Sequence, residues 1–344
     1  MHKVKLGIVG CGAVTQIYHL PASRLLSGAK IEALVDLDLN LAQKLCSKYK
    51  IPYCFNDYRK LFGLVDGVII ALPNKLHAST SIEFLKERIP VLCEKPLATS
   101  AHDAEEVIKT SEKFKTPIAV GLIRRFYTSS RLVKFIISKN ILGKIYRFEI
   151  EEGIVYDWPT ISGFYFNRLA SGGGVLMDTG SHVLDLVLWW FGDNVINFDY
   201  KDDDLGGGIE ANSELNLVIN YKGDQIEGTI ELSRTRRLRN SYKIFGEKGW
   251  LEFFPFDTEK VQLNLKRKQQ HGMIYDKKLD LGGGKRNIIY YFYEQLKDFV
   301  QVIAGDKASP YVDGKTAYQT VKLIEACYNK KQNIPMPWIT NGIN

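Results

Sequence analysis

Val4-Lys5-Leu6-Gly7-Ile8-Val9-Gly10-Cys11-Gly12-Ala13-Val14-Thr15 reads as a strand that runs directly into a glycine turn and then into a helix. The apolar, β-branched run up to Val9 predicts the strand. Gly10 permits a tight turn, and Gly12 lets backbone N–H groups approach a pyrophosphate that the helix N-terminus then stabilises. Cofactor contacts are therefore expected from Gly10, Gly12, Ala13 and Val14. The third position of this dinucleotide fingerprint, ordinarily Gly or Ala, is Thr15, which predicts slightly wider packing of helix on strand.

Working outward, residues 31–35 form a second apolar run that ends at Asp36, roughly where the acid that grips an adenosine ribose is expected. The other reading of Asp36 is a plain strand-end turn residue. A carboxylate there accepts hydrogen bonds from a ribose diol, and together with Asp38 it repels a 2′-phosphate, so NAD is favoured over NADP. The pattern repeats with a helix over 41–49, an extended piece at 51–55, a helix around 58–61 and a near-continuous apolar strand at 65–71. Strand alternating with helix predicts an α/β chain with a doubly wound parallel sheet. Leu72, Pro73, Asn74 and His77 follow that strand at the carboxyl edge, where ligands of such sheets lie. His77 either lines the cofactor pocket or simply starts a helix. After a helix over 78–87, the strand at 91–93 runs into Glu94-Lys95-Pro96, an acid and a lysine at a strand end and so placed for a site; the other reading of Lys95 is a surface charge.

A second informative stretch is Gly172-Gly173-Gly174, followed by an apolar segment carrying Asp178, His182 and Asp185. On a helix these three share one face, and a His beside an Asp is an acid/base pair. The alternative is that Asp178 caps the helix and His182 is a satisfied core histidine. The glycines are expected to allow a substrate close to the backbone.

At 344 residues the chain suggests two domains, and 45% hydrophobic with 25% charged residues excludes disorder and fibrous architecture. No signal peptide and no membrane span are read from the sequence. Cys11, Cys46, Cys54, Cys93 and Cys327 stand singly, without zinc or dithiol spacing, as free thiols of a reducing cytoplasm. The net charge of +7 is concentrated only at 234–239 and 266–268, in no nucleic-acid module, so no nucleic-acid partner is expected.

From residue 145 the pattern becomes strand-like alternation, at 146–153, 214–221, 225–233, 241–245, 250–253 and 260–265, which suggests an antiparallel meander. The acidic run 201–208 reads as a connection. Gly282-Gly283-Gly284-Lys285-Arg286 lacks phosphate-loop spacing. Amphipathic stretches over 288–303 and 316–329 close the chain as helices. Tyr156, Trp158, Tyr165 and Arg168 lie before the glycine triplet. Such side chains either stack on and hydrogen-bond a sugar ring or pack a subunit contact. Arg168 and the 234–239 arginines bind the diphosphate of a nucleotide-sugar or are solvated strand residues.

With these elements in this order, the sequence resembles the Gfo/Idh/MocA family. The resemblance rests on Gly10-Cys11-Gly12, Asp36, Pro73-Asn74 with His77, Glu94-Lys95-Pro96, and Gly172-Gly173-Gly174 with Asp178, Gly180, His182 and Asp185. It implies an N-terminal Rossmann domain over 1–122 and a C-terminal α/β domain over 123–344 built on an open, mostly antiparallel sheet, with assembly as a homodimer or homotetramer. It implies a catalytic trio of Lys95, Asp178 and His182, with Glu94 beside the cofactor and no metal. The departure at Arg124-Arg125-Phe126-Tyr127-Thr128 bears on any substrate contact by Arg125. The expected function is NAD-dependent hydride transfer at a secondary alcohol of a sugar, cyclitol or nucleotide-sugar, in the cytoplasm. The alternative is a non-catalytic NAD-binding regulator of the same fold.

Overall fold

A computed structural model describes residues 3–155, 163, 166–204, 208–266, 270–275 and 287–334. They fall into two compact units, one within Met1–Phe126, Pro159–Gly172 and Arg286–Lys322, the other within Tyr127–Trp158, Gly173–Lys285 and Leu323–Asn344.

The first unit is built on a six-stranded sheet of β1 (Val4–Val9), β2 (Ala29–Val35), β3 (Tyr53–Phe55), β4 (Gly67–Ile70), β5 (Val91–Cys93) and β6 (Ile118–Val120). The order is β3-β2-β1-β4-β5-β6 and every pairing is parallel. Leu6, Ile8, Val68, Ile69, Ile70 and Val91 are wholly enclosed, as strands covered on both faces must be. The strand order reverses between β1 and β4, which puts a crevice at their carboxyl ends.

The covering helices begin and end where local chemistry dictates. A short π-helical turn at Thr15–His19 continues into α1 (Leu20–Ser23). In α2 (Leu39–Tyr49) the Asp38 carboxylate accepts the Leu41 N–H at the start, and Lys50 adopts a left-handed φ of 56° at the end. After α3 (His77–Lys86), Ser100 caps α4 (Ala101–Phe114), and the left-handed Lys115 stops it. Three later helices follow, α5 (Thr128–Ser138), the one-turn α6 (Arg168–Ser171) and α7 (Val175–Phe191). The amphipathic α8 (Ile288–Ile303), although it lies beyond residue 122, packs on the parallel sheet: a Cβ at Gly67 would meet Ile303 Cδ1 at 2.5 Å and Phe299 Cε1 at 3.4 Å. α9 (Gly314–Asn329) ends the helical set.

The second unit holds a nine-stranded sheet of β7 (Ile145–Gly153), β8 (Val195–Asp202), β9 (Asn212–Tyr221), β10 (Asp224–Ser233), β11 (Ser241–Gly246), β12 (Gly249–Phe253), β13 (Lys260–Leu265), β14 (Gln270–Tyr275) and β15 (Gln332–Asn333). Its order is β14-β13-β12-β11-β7-β10-β9-β8-β15. The expected meander is therefore interrupted. β7 is inserted between β11 and β10 and runs parallel to β10, a pairing over Glu227–Ser233 that no short hairpin makes. The sheet is otherwise antiparallel except at β15 with β8. One face buries α7. Phe148 stacks on Phe191 at 5.3 Å, while Trp190 meets Tyr242 and Phe253 edge-on and donates its indole N–H to the Ser130 carbonyl. Burying each such Leu, Val or Phe side chain contributes about 1.5–3 kcal/mol. The opposite face alternates outward with Glu149, Glu151, Glu214, Glu231 and Lys243, as a half-solvated antiparallel sheet does.

The acidic run read as a connection leaves the end of β8, and two of its carboxylates are enclosed. Asp202 is fully buried and Asp204 nearly so, and Lys331 lies 2.9 Å from Asp204 Oδ2 and 3.6 Å from Asp202 Oδ1. Burial pushes the Asp202 carboxyl up. The compensating lysine is 127 residues away, so nothing local announces it.

Candidate functional site

Gly10 sits at φ +100°, and a Cβ on it would strike the Ala71 carbonyl at 2.2 Å, so the turn requires glycine on two counts. A Cβ on Gly12 would meet nothing within 4 Å: its backbone faces open space, which suits the approach of a phosphate. Thr15, buried, donates its hydroxyl to the Gly10 carbonyl at 2.7 Å. The side chain at the third fingerprint position thus closes the turn that precedes it. Gln16 Nε2 donates to the Cys11 carbonyl at 2.8 Å.

Asp36 is held by two backbone amides. Cys11 N–H donates to Oδ2 at 2.7 Å and Asp38 N–H to Oδ1 at 2.9 Å. The carboxylate is thereby fixed, partly exposed, beside the glycine turn. Burial, and then the Asp36 charge, push the Cys11 thiol up, so this cysteine stays a neutral thiol near neutral pH. Ala13, Val14, Leu72 and Pro73 complete a partly exposed rim at the sheet's carboxyl edge. Glycines, acid and rim fit a dinucleotide: the turn would hold its pyrophosphate and Asp36 its adenosine ribose.

The three remaining polar residues expected at the cofactor, Asn74, His77 and Glu94, are engaged by the protein itself. Asn74, buried, donates Nδ2 to the Ser171 carbonyl at 2.7 Å. His77 begins α3 but is only 1% exposed, with Nδ1 2.7 Å from the Pro96 carbonyl oxygen and Nε2 2.8 Å from that of Leu72. Only the imidazolium would donate to both carbonyls, whereas a neutral ring donates to one. Burial, the largest influence, pushes the pKa down, while the two carbonyls and Glu94 act the other way. At the end of β5, Glu94 pairs through Oε1 with Nε2 of the fully buried His19 at 2.7 Å. Lys95 follows, half-buried, joined to Pro96 by a cis peptide bond. Arg125 is 4% exposed in the helical turn Ile123–Phe126, and Arg168 is half-buried at the start of α6. Tyr156, Trp158 and Tyr165 lie outside the described residues.

In the second unit α7 is enclosed on nearly every side, and Asp178 and His182 stand partly exposed one turn apart, on the face their four-residue spacing predicts. Asp185, a further turn on, is fully buried. The helix start is capped from a distance. Glu210, fully buried, accepts Gly174 N–H at 2.8 and 2.9 Å, Leu176 N–H at 3.0 Å and the Tyr328 hydroxyl at 2.7 Å. Burial pushes its carboxyl up and these donors pull it back.

That cap corrects the expectation for the glycine triplet. A Cβ on Gly173 would lie 2.1 Å from the Tyr328 hydroxyl oxygen, and one on Gly174 1.9 Å from the Glu210 carbonyl oxygen. These two glycines admit the chain's own Tyr328 and Glu210 against the backbone. The 234–239 arginines were read as diphosphate ligands or solvated strand residues, and the role of Arg234 beside Asp178 was missed for a related reason. Its guanidinium, 8% exposed, donates from Nη2 to Asp178 Oδ2 at 3.0 Å and to the Gly174 carbonyl at 3.1 Å. Asp178 is thus anchored as one half of an ion pair. Arg236 pairs with Glu231 and Arg239 with Glu252, so the 234–239 arginines are largely occupied by carboxylates. The only local signal for Arg234 is the arginine-rich run itself, which does not distinguish it from its exposed neighbours. A groove of about 400 Å³ lies on the sheet face away from α7, lined by Glu149, Glu214, Glu231 and Glu252 with Arg239 and Lys243. Among the described residues no group of three or more His, Cys, Asp or Glu is arranged to hold a metal ion.

Comparison with known proteins agrees with the fold. Residues 4–122 match the model of an oxidoreductase family with an NAD-binding Rossmann fold, and residues 130–252 match the Gfo/Idh/MocA C-terminal domain. The rhizopine catabolism protein MocA of Rhizobium meliloti is 28% identical over 288 residues, 80% of this chain and 86% of that one. An inositol 2-dehydrogenase of Salmonella typhimurium is 29% identical over 202 residues, covering 58% of this chain and 56% of the relative. An aldose-aldose oxidoreductase from Caulobacter crescentus, solved with glycerol, superposes with a TM-score of 0.83 over 96% of this chain and 97% of its own at 22% identity. A levoglucosan dehydrogenase solved with NADH and levoglucosan gives the same score over the same shares at 18% identity. At those identities the structures speak for the fold alone; the two matched domain models place the chain in the Gfo/Idh/MocA family of NAD-binding oxidoreductases.

Proposed function

We propose that the protein is an NAD(H)-dependent dehydrogenase or reductase acting on a secondary alcohol or ketone of a sugar, cyclitol or nucleotide-sugar. The observation that carries this reading is the Asp178/His182 stripe, a titratable pair partly exposed on a largely enclosed helix, its Asp178 anchored by a buried arginine. Bound NAD supplies the hydride acceptor. In the oxidative direction His182 takes the hydroxyl proton. Lys95 hydrogen-bonds the same oxygen and stabilises its developing negative charge, the work a metal does in other alcohol dehydrogenases. Asp178 orients His182, and because Arg234 shares its charge, it does so without leaving an isolated carboxylate beside the substrate. Arg168, and Tyr156, Trp158 and Tyr165, are the side chains we assign to the substrate ring. The substrate class is supported by relatives named for inositol and glucoside dehydrogenation.

The test follows NADH absorbance with a panel of sugars, inositols and nucleotide-sugars. Turnover of at least one is expected, and His182→Ala should lower its kcat by about 10²–10⁴-fold with NADH affinity nearly intact. An unchanged kcat in that variant removes His182 from the chemistry. No turnover across the panel beside tight NADH binding would favour a regulatory protein.

We also infer a cytoplasmic homodimer or homotetramer. Five free cysteines, and no helix among the described residues long and apolar enough to cross a membrane, support the first part, and the family resemblance supports the second. Sedimentation equilibrium checks the assembly.

A further inference from the structure

The segment Glu94-Lys95-Pro96 is gripped from two sides by buried imidazoles, and neither histidine is explained by the reaction itself. His19 is fully enclosed, its ring edge-on to Phe292 at 5.2 Å and its Nε2 2.7 Å from Glu94 Oε1. His77 bridges the two strand ends: Nε2 meets the carbonyl of Leu72, just after β4, and Nδ1 the carbonyl of Pro96, just after Lys95. Gly121 closes the remaining side, since a Cβ there would meet Glu94 Oε2 at 2.8 Å. The residue before Lys95 is therefore fixed through its side chain, and the residue after it through its backbone.

Lysine carries four side-chain torsions and loses up to about 2 kcal/mol of rotamer entropy when held in one place. Its ammonium reaches a reacting oxygen reproducibly only if the backbone from which it springs does not move. Loss of alignment by an ångström can cost 10²-fold in rate.

We propose that His77 is a positioning residue for Lys95, acting through the Pro96 carbonyl, with His19 holding the same segment through Glu94. This rests on the reading of Lys95 as the group that hydrogen-bonds the reacting oxygen. It separates the two bonds of His77: the one to Pro96 serves function, and the one to Leu72 serves the fold.

Two substitutions divide these bonds. The amide nitrogen of Asn reaches roughly where Nδ1 lies and that of Gln roughly where Nε2 lies, so His77→Asn retains a donor for Pro96 and His77→Gln retains one for Leu72. Both variants are expected to lose a similar amount of Tm. His77→Gln should lose tenfold or more in kcat with little change in the KM for NADH, whereas His77→Asn should stay within about threefold of wild type. Hydrogen exchange of the peptide spanning residues 93–98, followed by mass spectrometry without substrate, should quicken in the Gln variant and stay near wild type in the Asn variant. Equal exchange in the two variants, or kcat losses that simply follow Tm, would overturn the proposal. The exchange comparison needs no turnover, so an inactive wild type counts against the proposed reaction while the positioning role is still decided.

Discussion

Asp36 accepts two backbone amides, which ties the cofactor acid to the glycine turn it serves. Asp36→Ala removes a charge that accepts from Cys11, from Asp38 and, with NAD bound, from the ribose diol. Hydrogen bonds to charged groups contribute about 1.5–3 kcal/mol, so NADH affinity should fall about 10–100-fold, and NADPH affinity much less. Fluorescence titration with both cofactors checks this, and equal losses would remove Asp36 from the discrimination. The fingerprint was legible in the sequence because its constraint is local: strand, turn and helix follow one another within a dozen residues. Thr15 was legible only as a departure, since its bond to Gly10 depends on a side-chain torsion that spacing does not encode. His77 was legible as a position, but its burial between Leu72 and Pro96 depends on two strand ends meeting in the fold. The pairing of Arg234 with Asp178 was invisible because the two lie 56 residues apart.

For whole elements the instructive case is α7. Its length and its polar stripe follow from the run 175–191, but its start is governed by Glu210 from a loop 36 residues on. Four donor contacts converge on that carboxylate. Glu210→Gln keeps one acceptor oxygen and turns an N–H group toward donors, so it should destabilise by about 1–3 kcal/mol, the cost of leaving buried donors unsatisfied. The effect depends on pH in a defined sense. Burial raises the folded pKa of Glu210 above its ordinary 4.5, so the folded state binds more protons than the unfolded one. Its contribution is fully present below about pH 4.5 and is lost as pH rises through the raised folded value. Gln does not titrate. The penalty of the variant should therefore be larger at pH 5 than at pH 7.5, as read from urea unfolding at the two pH values, and the opposite trend would mean that Glu210 is not held against its burial. Strand positions were legible from alternation at β9 to β13, but the insertion of β7 beside β10 was not, because a parallel pairing carries no hairpin signal in the chain.

For the molecule as a whole, α8 belongs to the nucleotide-binding unit although in sequence it lies between strands β14 and β15 of the second sheet. Phe292, Leu296, Phe299 and Val302 of that helix are buried. Exposing four such side chains, at about 1.5–3 kcal/mol each, removes an amount comparable to the net stability of a typical domain, about 5–15 kcal/mol. A fragment of residues 1–126 should therefore fail to unfold cooperatively by circular dichroism and fail to bind NADH. A fragment that melts cooperatively and binds NADH like the full chain would show α8 to be dispensable. Hydrophobic periodicity identified α8 as a helix, but periodicity is silent on which sheet a helix covers.

The packing glycines bear on how any catalogue of variants from this gene should be interpreted. Gly174 abuts the Glu210 carbonyl, and Gly228 faces the Phe148 ring, where a Cβ would lie 2.0 Å from its tip. Neither can yield to a methyl group without moving backbone or a core aromatic. In a saturation library, every substitution at these two positions should deplete soluble protein and activity together, whereas substitutions at His182 should deplete activity alone. Sorting variants by abundance before assaying them would keep the glycine-rich approach to α7 from being mistaken for part of the catalytic machinery.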